Sequence, residues 1–214
     1  MNRDMIAPLT GVGFIVAAII SILIMGGDPP GADDPAREIV DHYVDNKDSI
    51  IASAFVGVLA VGLLIFFAAY LRKVLSTAEG HGGFLSALVL TGAAILGLGL
   101  TIDGMISVAI AESANDIEPN SVQTLQALWD NDWLPIALGM MIFFFSSGLA
   151  IVLYGGLPKW LGWIAILFGI CGFTPVFFVG FLGGSLWILI VSIMLAMQAR
   201  PAAPAAPAAP STGL

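Results

Sequence analysis

Asp103 has the most unusual setting of any residue in this sequence, because it is an acid inside a long apolar run. A carboxylate within a membrane-spanning helix is costly, and such acids usually face a bundle interior or a water path. Asp103 follows Phe84, the start of its run, by about 19 residues, which places it near the membrane boundary. It is a candidate proton, cation or ligand site. The alternative is an interfacial carboxylate bonded to Thr101, Ser107 or the acidic loops.

A histidine between two acids forms a second candidate site, at Glu38, His42 and Asp45. Residues three and four apart share one face of a helix. A histidine beside carboxylates can sense pH or contribute to a metal site. No second His or Cys is nearby, so we expect no metal ion, and a solvated polar face is the alternative. His81, in a glycine-rich turn, is interpreted as having no special role.

Motifs for catalysis or for cofactor binding are missing from the sequence. It has no phosphate-binding loop, no GxSxG elbow, no HExxH pair and no paired cysteines. The single cysteine, Cys171, lies in an apolar run and is interpreted as a buried structural thiol. We therefore expect a protein that is not an enzyme and binds no cofactor.

The composition points to a membrane protein. Of the 214 residues, 58% are hydrophobic and 10% are charged, against about 25% charged in soluble domains. The net charge of -8 argues against nucleic acid as a partner and against a polybasic lipid-binding surface. The expected partners are the lipid bilayer and other membrane protein subunits.

Continuous apolar runs predict an all-α bundle of transmembrane helices. A span needs about 20 apolar residues, and the period-2 alternation of a barrel strand is missing. The predicted domain covers residues 1–198, with spans at about 6–26, 50–71, 84–111, 134–154, 160–177 and 179–197. The last two come from splitting one run near Thr174 to Gly180, so one broken segment is the alternative. Residues 199–214 form an Ala/Pro-rich tail that we expect to be disordered.

Two acidic segments between the spans each predict a short amphipathic helix, at about 35–47 and 119–131. Asp34-Pro35 and Glu118-Pro119 resemble helix starts, in which an acid caps the free amides and proline takes the first helical position. An apolar stripe follows each start. We expect both helices to lie on the membrane surface or on the ends of the spans.

The two segments also suggest an internal repeat. Each begins with an acid and a proline, ends in an Asp-Asn pair at 45–46 or 130–131, and leads into a span. The repeated unit would be surface helix, span, turn and span, in a parallel arrangement. Convergent loop chemistry is the alternative.

The positions of Lys and Arg predict the orientation. In the six-span layout one side carries Arg3, Arg72, Lys73, Lys159 and Arg200, and the other carries Arg37 and Lys47. Because positive residues favour the cytoplasmic side, we expect both termini in the cytoplasm and both surface helices outside it.

Small residues recur at four-residue steps within the spans. This spacing lets helices approach closely in lipid. Tight packing within one bundle is expected, with subunit dimerisation as the alternative. The residues are Ala93, Gly97, Ala165, Gly169, Gly180 and Gly184, with Thr101 continuing the first series.

Two stretches carry a resemblance to a known family. Residues 34–40, DPAREIV, and 157–163, LPKWLGW, together with the six-span layout, resemble a large group of uncharacterised membrane proteins common in actinobacteria. The resemblance covers nearly the whole chain before the tail. It implies a bacterial plasma membrane setting and assigns no catalytic or binding residue.

Three functional hypotheses follow. The first is a non-catalytic accessory or interaction subunit of a membrane complex, favoured by the lack of convergent polar residues in the spans. The second is a small transporter or channel with a proton or cation site near Asp103. A membrane enzyme acting on lipid or quinone is the least supported, because no nucleophile is paired with a base.

Overall fold

The fold is built from helices. The computed structural model describes residues 3–27, 29–80, 82–174 and 176–199, and these residues form helices and no strand, as the all-α prediction requires. The predicted tail from Arg200 onward and His81 lie outside the described residues. The helices are α1 (Arg3–Ile24), α2 (Ala36–Asp45), α3 (Lys47–Glu79), α4 (Phe84–Ser113), α5 (Pro119–Trp129), α6 (Trp133–Tyr154), α7 (Lys159–Cys171) and α8 (Phe177–Gln198).

Five of these helices are long and apolar enough to cross a membrane. They are α1, α3, α4, α8 and the segment Pro119–Tyr154, in which α6 is the long apolar helix. The apolar helix α7 has 13 residues, or roughly 20 Å of helix, against a hydrocarbon core of about 30 Å. The sixth span therefore stays a prediction.

The long apolar run at 160–197 is divided by a turn. The predicted fifth span extended to residue 177, but α7 ends at Cys171 and α8 begins at Phe177. The turn satisfies its own backbone, since Gly172 donates to Phe168 O at 3.0 Å and Thr174 N donates to Cys171 O at 3.1 Å. Internal bonding of this kind is what non-helical backbone requires at membrane depth.

Six helices form a closed ring in the order α1, α3, α4, α6, α7, α8, and α8 returns to α1. Each helix packs on the next, and the connections from α1 to α3 and from α4 to α6 contain the short helices α2 and α5. Its centre is filled by large side chains of α3, α6 and α8. Those that are buried include Leu64, Phe67, Phe143, Phe144 and Trp187.

Glycine sets the closest helix crossings. A Cβ atom on Gly139 of α6 would collide with the backbone of Leu96, and one on Gly92 of α4 with the backbone of Phe143. Four of the six small residues singled out in the sequence also lie against neighbouring helices, namely Gly97, Gly169, Gly180 and Gly184. The other two, Ala93 and Ala165, are buried in the core.

The connection from α3 to α4 is capped by an acid. The carboxylate of Glu79 accepts hydrogen bonds from the backbone of Leu85 at 2.8 Å and of Ser86 at 3.0 Å. These are free amides of the first turn of α4, where a negative charge also suits the helix dipole. The turn therefore fixes α4 against the end of α3.

The short helices α2 and α5 pack against each other and on the same end of the bundle; together we call them the cap. Their apolar stripes meet α4 in a second hydrophobic cluster, whose buried members include Ile39, Tyr43, Ile106, Ile110 and Val122. The cap helices lie within the predicted ranges 35–47 and 119–131.

The start of α2 differs from the prediction. Asp34 does not cap the helix, because its Oδ2 accepts from the backbone of Gly31 at 2.9 Å. Pro35 is extended, at φ -56 and ψ 130, so that it flanks α2 and the helix begins at Ala36. In α5, Pro119 is the first helical residue, as predicted, but the Glu118 side chain makes no capping bond.

The order of elements is the same in the two halves of the proposed repeat. A cap helix, a long helix, a turn and a further helix occur as α2–α3–α4 and as α5–α6–α7. The lengths differ, with 33 and 30 residues in α3 and α4 against 22 and 13 in α6 and α7. The repeat stays a prediction.

Candidate functional site beneath the cap

Asp103 lies on α4 below the cap and is partly buried. Asp132 is a charged group near its carboxyl group, and the Trp129 indole lies beside it. The hydroxyls that the sequence suggested as partners bond elsewhere, since Ser107 donates to the backbone oxygen of Asp103 at 3.2 Å and Thr101 to that of Gly97 at 2.8 Å. Of the partners that the sequence suggested for Asp103, only the acidic loop supplies a neighbour of its side chain, namely Asp132.

Asp132 and Trp129 come from the junction between α5 and α6. Trp129 ends α5, and Asp132 directly precedes α6 without capping it. Among the described side chains, three buried polar atoms have no hydrogen-bond partner, namely Trp129 Nε1, Asp132 Oδ2 and Ser147 Oγ. Two of the three therefore belong to this one site, and the indole approaches Asp103 without hydrogen-bond geometry.

A chain of hydrogen bonds near Trp129 and Asp132 joins the two cap helices. Tyr43 Oη donates to Gln126 Oε1 at 2.8 Å, and Gln126 Nε2 donates to Asp130 Oδ1 at 2.9 Å. The other oxygen of Asp130 accepts from the backbone of Ala32 at 2.9 Å. Asp130 thereby ties the segment before α2 to the end of α5.

The chain holds Tyr43 as a neutral donor. Burial raises the pKa of the Tyr43 phenol above its ordinary value, and the nearby carboxylates of Asp130 and Asp103 raise it further. Gln126 is fully buried, and both of its amide atoms have partners in the cap. The side-chain polar atoms of Tyr43 and Gln126 thus have hydrogen-bond partners, whereas Trp129 Nε1 and Asp132 Oδ2, near Asp103, have none.

The predicted group of Glu38, His42 and Asp45 is only partly brought together. His42 packs its ring edge-on against Tyr43, with centroids 5.5 Å apart. Burial lowers the pKa of His42, and the charge of Asp45 opposes that change. Glu38 is exposed. In the described part of the chain, no group of three or more His, Cys, Asp or Glu side chains is arranged to hold a metal ion.

A small cavity adjoins His42. It is lined by Met25, Pro29, His42, Tyr43, Ile50 and Ser107, and its volume of about 10 Å³ accommodates roughly one water molecule. The cavity lies beside the hydrogen-bond chain and is too small for an organic ligand.

A larger groove lies on the flank of the bundle, between α4, α6 and α7. It has a volume of about 640 Å³, and its lining is apolar except for two hydroxyls. Both are occupied, because Ser146 bonds to the carbonyl of Ile142 in its own helix and Thr174 Oγ1 donates to Cys171 O at 2.9 Å. Cys171 is a free thiol of intermediate burial.

The partner residues of Asp103 were not predicted from the sequence. The sequence suggested the acidic loops in general, but neither Trp129 nor Asp132 in particular. A signal for Gln126 existed, because this residue continues the apolar stripe of Val122 and Trp129 at helical spacing. A glutamine at a buried stripe position needs hydrogen-bond partners, which indicates a polar contact inside the cap.

Comparison with models of known protein families, with curated proteins and with solved structures gives no match to this chain. The chemistry of the site therefore rests on its geometry. Two neighbouring carboxyl groups beside an indole N–H can bind a proton or a cation. No nucleophile is paired with a base at this site.

Proposed function

We propose that this protein is a non-catalytic membrane protein that acts through contacts of its cap, as an accessory or interaction subunit of a membrane complex. The observation that carries the proposal is the division of the cap into two faces. Its apolar stripes are buried against α4, while the acids of α2 are exposed, as are those of the segments that flank the cap helices. The exposed acids of α2 are Glu38, Asp41 and Asp45, and those of the flanking segments are Asp33, Asp34, Asp48, Glu112, Asp116, Glu118 and Asp130.

The interior of the bundle supports a contact role. In the described residues, the buried polar side chains are six serines and Gln126, and none is an acid or a base. A proton or ion path usually contains a series of such ionisable residues. The bundle interior is instead filled by aromatic and aliphatic side chains, so the polar chemistry is concentrated at the cap.

A bacterial plasma membrane setting is part of this proposal. It is supported by the resemblance to the actinobacterial group and by five apolar helices of spanning length. The end of the bundle opposite the cap carries the exposed residues Arg72, Lys73 and Lys159. By the positive-inside rule, that end faces the cytoplasm together with both termini, and the cap faces outward.

Purification from the native membrane tests the contact role. A tagged chain is isolated in mild detergent, and copurifying proteins are quantified by mass spectrometry. We expect a partner that is retained by the wild type and by the charge-conserving variant Glu38→Asp/Asp41→Glu/Asp45→Glu. The neutralised variant Glu38→Gln/Asp41→Asn/Asp45→Asn should lose it. A partner retained equally by both variants, or no partner at all, would contradict the proposal.

A second candidate function is a small transporter or channel with a proton or cation site near Asp103. The partly buried acid Asp103, with a second acid, Asp132, near it, favours this function. In reconstituted liposomes, proton or cation flux above that of empty vesicles should then disappear in Asp103→Asn and persist in Asp41→Asn, which removes an exposed cap acid. Flux that is unchanged by Asp103→Asn would exclude this role for the site.

A further inference from the structure

The groove on the flank of the bundle has α6 as its floor and α4 and α7 as its walls. The floor extends along α6 from Met141 to Leu149, and the volume is about 640 Å³. Glycine fixes both walls to this floor, because a Cβ atom on Gly92 of α4 or on Gly169 of α7 would collide with the backbone of α6. Since both walls already contact the backbone of α6, the packing of the bundle holds the groove open.

The lining of the groove selects an apolar occupant. Its two hydroxyl groups, on Ser146 and Thr174, already donate to carbonyl oxygens of their own chain. A polar ligand would give up hydrogen bonds to water that this lining does not replace, which is costly in an apolar site. The occupant that the lining favours is therefore a hydrocarbon.

The groove opens onto the surface of the bundle that faces lipid. Phe84, Ile170 and Phe173 line it and are exposed, and both α4 and the segment that contains α6 are long and apolar enough to cross a membrane. The bilayer core contains no water, and an empty groove would lose the dispersion contacts of its lining. Because the groove is continuous with the boundary between protein and lipid, a chain of the surrounding lipid can enter it from the side.

The dimensions of the groove fit one lipid chain better than a protein helix. From Met141 to Leu149 the floor is roughly 12 Å long at 1.5 Å per residue, against roughly 15 Å for the chains of one leaflet, which is half of the hydrocarbon core. A helix with its side chains is about 10–12 Å wide, so the same length of helix occupies on the order of 1,000 Å³. The groove, at about 640 Å³, is smaller than this and lies within the range of about 300–1,000 Å³ for small-molecule sites.

One end of the groove lies where a lipid headgroup would be. Phe84, which lines this end, is the first residue of α4, so it lies at the end of the bundle opposite the cap. The exposed residues Arg72, Lys73 and Lys159 lie at the same end. Positive side chains at a membrane surface attract phosphate groups, which suits a phospholipid whose chain enters the groove from this end.

We propose that the groove binds one acyl chain of a membrane phospholipid, whose phosphate lies at the end of the bundle marked by Phe84. The chain covers the floor of α6 between α4 and α7, and it stays with the protein while the surrounding lipid exchanges. This site is separate from the cap, so it does not rest on the contact role proposed above.

Photolabelling in vesicles tests where the chain lies. The protein is reconstituted in vesicles of phosphatidylcholine and phosphatidylglycerol that contain a phosphatidylglycerol with a diazirine in its acyl chain, and labelled peptides are mapped by mass spectrometry. We expect the label to concentrate on the groove residues of α4, α6 and α7 rather than on the exposed residues Phe55 and Phe66 of α3. A label spread evenly over both surfaces would show that the groove holds no defined chain and would overturn the proposal.

A variant that fills the groove makes the test specific. Leu149→Trp places an indole on the floor and should lower labelling of the groove about tenfold, the effect of losing on the order of ten heavy-atom contacts. Leu153→Trp is the matched control, because Leu153 is an exposed residue of the same helix that does not line the groove. If Leu149→Trp does not fold, as judged by circular dichroism, Leu88→Trp makes the same test from the wall of α4. Equal labelling of the groove in the filled and the control variants would contradict the site.

Native mass spectrometry identifies the occupant after purification in mild detergent. We expect one phospholipid mass per chain in the wild type and in Leu153→Trp, and about tenfold less of this adduct in Leu149→Trp. Retention of a free fatty acid, or a dimer that dissociates in Leu149→Trp, would assign the groove to another occupant and would overturn the proposal. The cap variant Glu38→Gln/Asp41→Asn/Asp45→Asn should keep the adduct even where it loses a partner protein, so the two proposals fail separately.

Discussion

Tyr43 Oη donates to Gln126 Oε1 at 2.8 Å and joins the two cap helices across 83 residues of sequence. Both side chains are buried, so the bond forms out of contact with water. Tyr43→Phe would leave the glutamine oxygen unsatisfied, and we expect it to destabilise the cap by about 1 to 3 kcal/mol. Tyr154→Phe is the matched control, since Tyr154 is 48% exposed at the opposite end.

Amide exchange in α2 and α5 measures this loss, because the cap can open without the bundle unfolding. The Tyr43→Phe variant should exchange faster in both cap helices, and the Tyr154→Phe variant should exchange like the wild type. Unchanged protection in Tyr43→Phe would mean that the apolar cluster holds the cap without this hydrogen bond.

His42 should make the stability of the cap depend on pH. Burial lowers the pKa of His42 from its ordinary value of 6.5, so the folded state binds fewer protons than the unfolded state between the two values. Stability then rises with pH in this window. The contribution of neutral His42 to stability is fully present above pH 6.5 and decreases as the partly buried imidazole is protonated at lower pH.

The measurement is amide exchange of α2 between about pH 5 and 7.5, a range that brackets the ordinary histidine value, corrected for the intrinsic rate. We expect protection to fall on acidification and His42→Gln to remove that dependence. Asp45→Asn should increase it, because the Asp45 charge favours the protonated form. A pH response that persists in His42→Gln would assign the effect to another group.

The helical class and the cap helices could be predicted because both depend on local patterns. Apolar runs of spanning length require internally bonded backbone, and the stripes around Ile39 and Val122 follow the period of a helix. The start of α2 was predicted wrongly, because the backbone of Gly31 competes for the carboxylate of Asp34. Sequence spacing does not show which of two nearby amides an acid will choose.

The position of Asp103 near Asp132 has no comparable local signal. It depends on how far α6 is shifted along α4, and that register is set where Gly139 meets the backbone of Leu96 and Gly99 meets Ile136. The sequence identified small residues at four-residue steps but not these glycines, because a close crossing depends on both helices at once. A break near Thr174 was predicted in the run at 160–197, but the end of α7 at Cys171 was not, because the residues that follow it are as apolar as those of the helix.

Gly139→Ala should weaken the contact between α4 and α6. The added methyl group would collide with the backbone of Leu96, which cannot move aside as a flexible side chain can, and overpacking of this kind costs about 1 to 3 kcal/mol. Gly62→Ala is the matched control, because nothing lies within 4 Å of a Cβ atom at Gly62. The free energy of unfolding of the two variants is compared in mixed detergent micelles. Equal values would mean that α4 and α6 move apart to accommodate the methyl group without loss of stability.

Ser192 of α8 completes the backbone of α1 near a proline. Its hydroxyl donates to the carbonyl oxygen of Pro8 and accepts from the backbone N–H of Val12 at 3.1 Å. These two backbone groups would bond directly in an uninterrupted helix, so the hydroxyl is inserted into the hydrogen-bond ladder. The side chain is fully buried, and this contact closes the ring between the first and last described helices.

Ser192→Ala should therefore loosen the contact between α1 and α8. We expect a loss of about 0.5 to 2 kcal/mol, the range found for hydrogen bonds between transmembrane helices, and faster exchange at Val12. Ser185→Ala is the control on the same helix, since the Ser185 hydroxyl bonds only to the carbonyl of Phe181 one turn earlier, at 3.0 Å. Equal protection of the Val12 amide in Ser192→Ala would mean that Val12 N–H bonds directly to the carbonyl oxygen of Pro8 once the hydroxyl is gone. The contact between α1 and α8 would then depend on apolar packing alone.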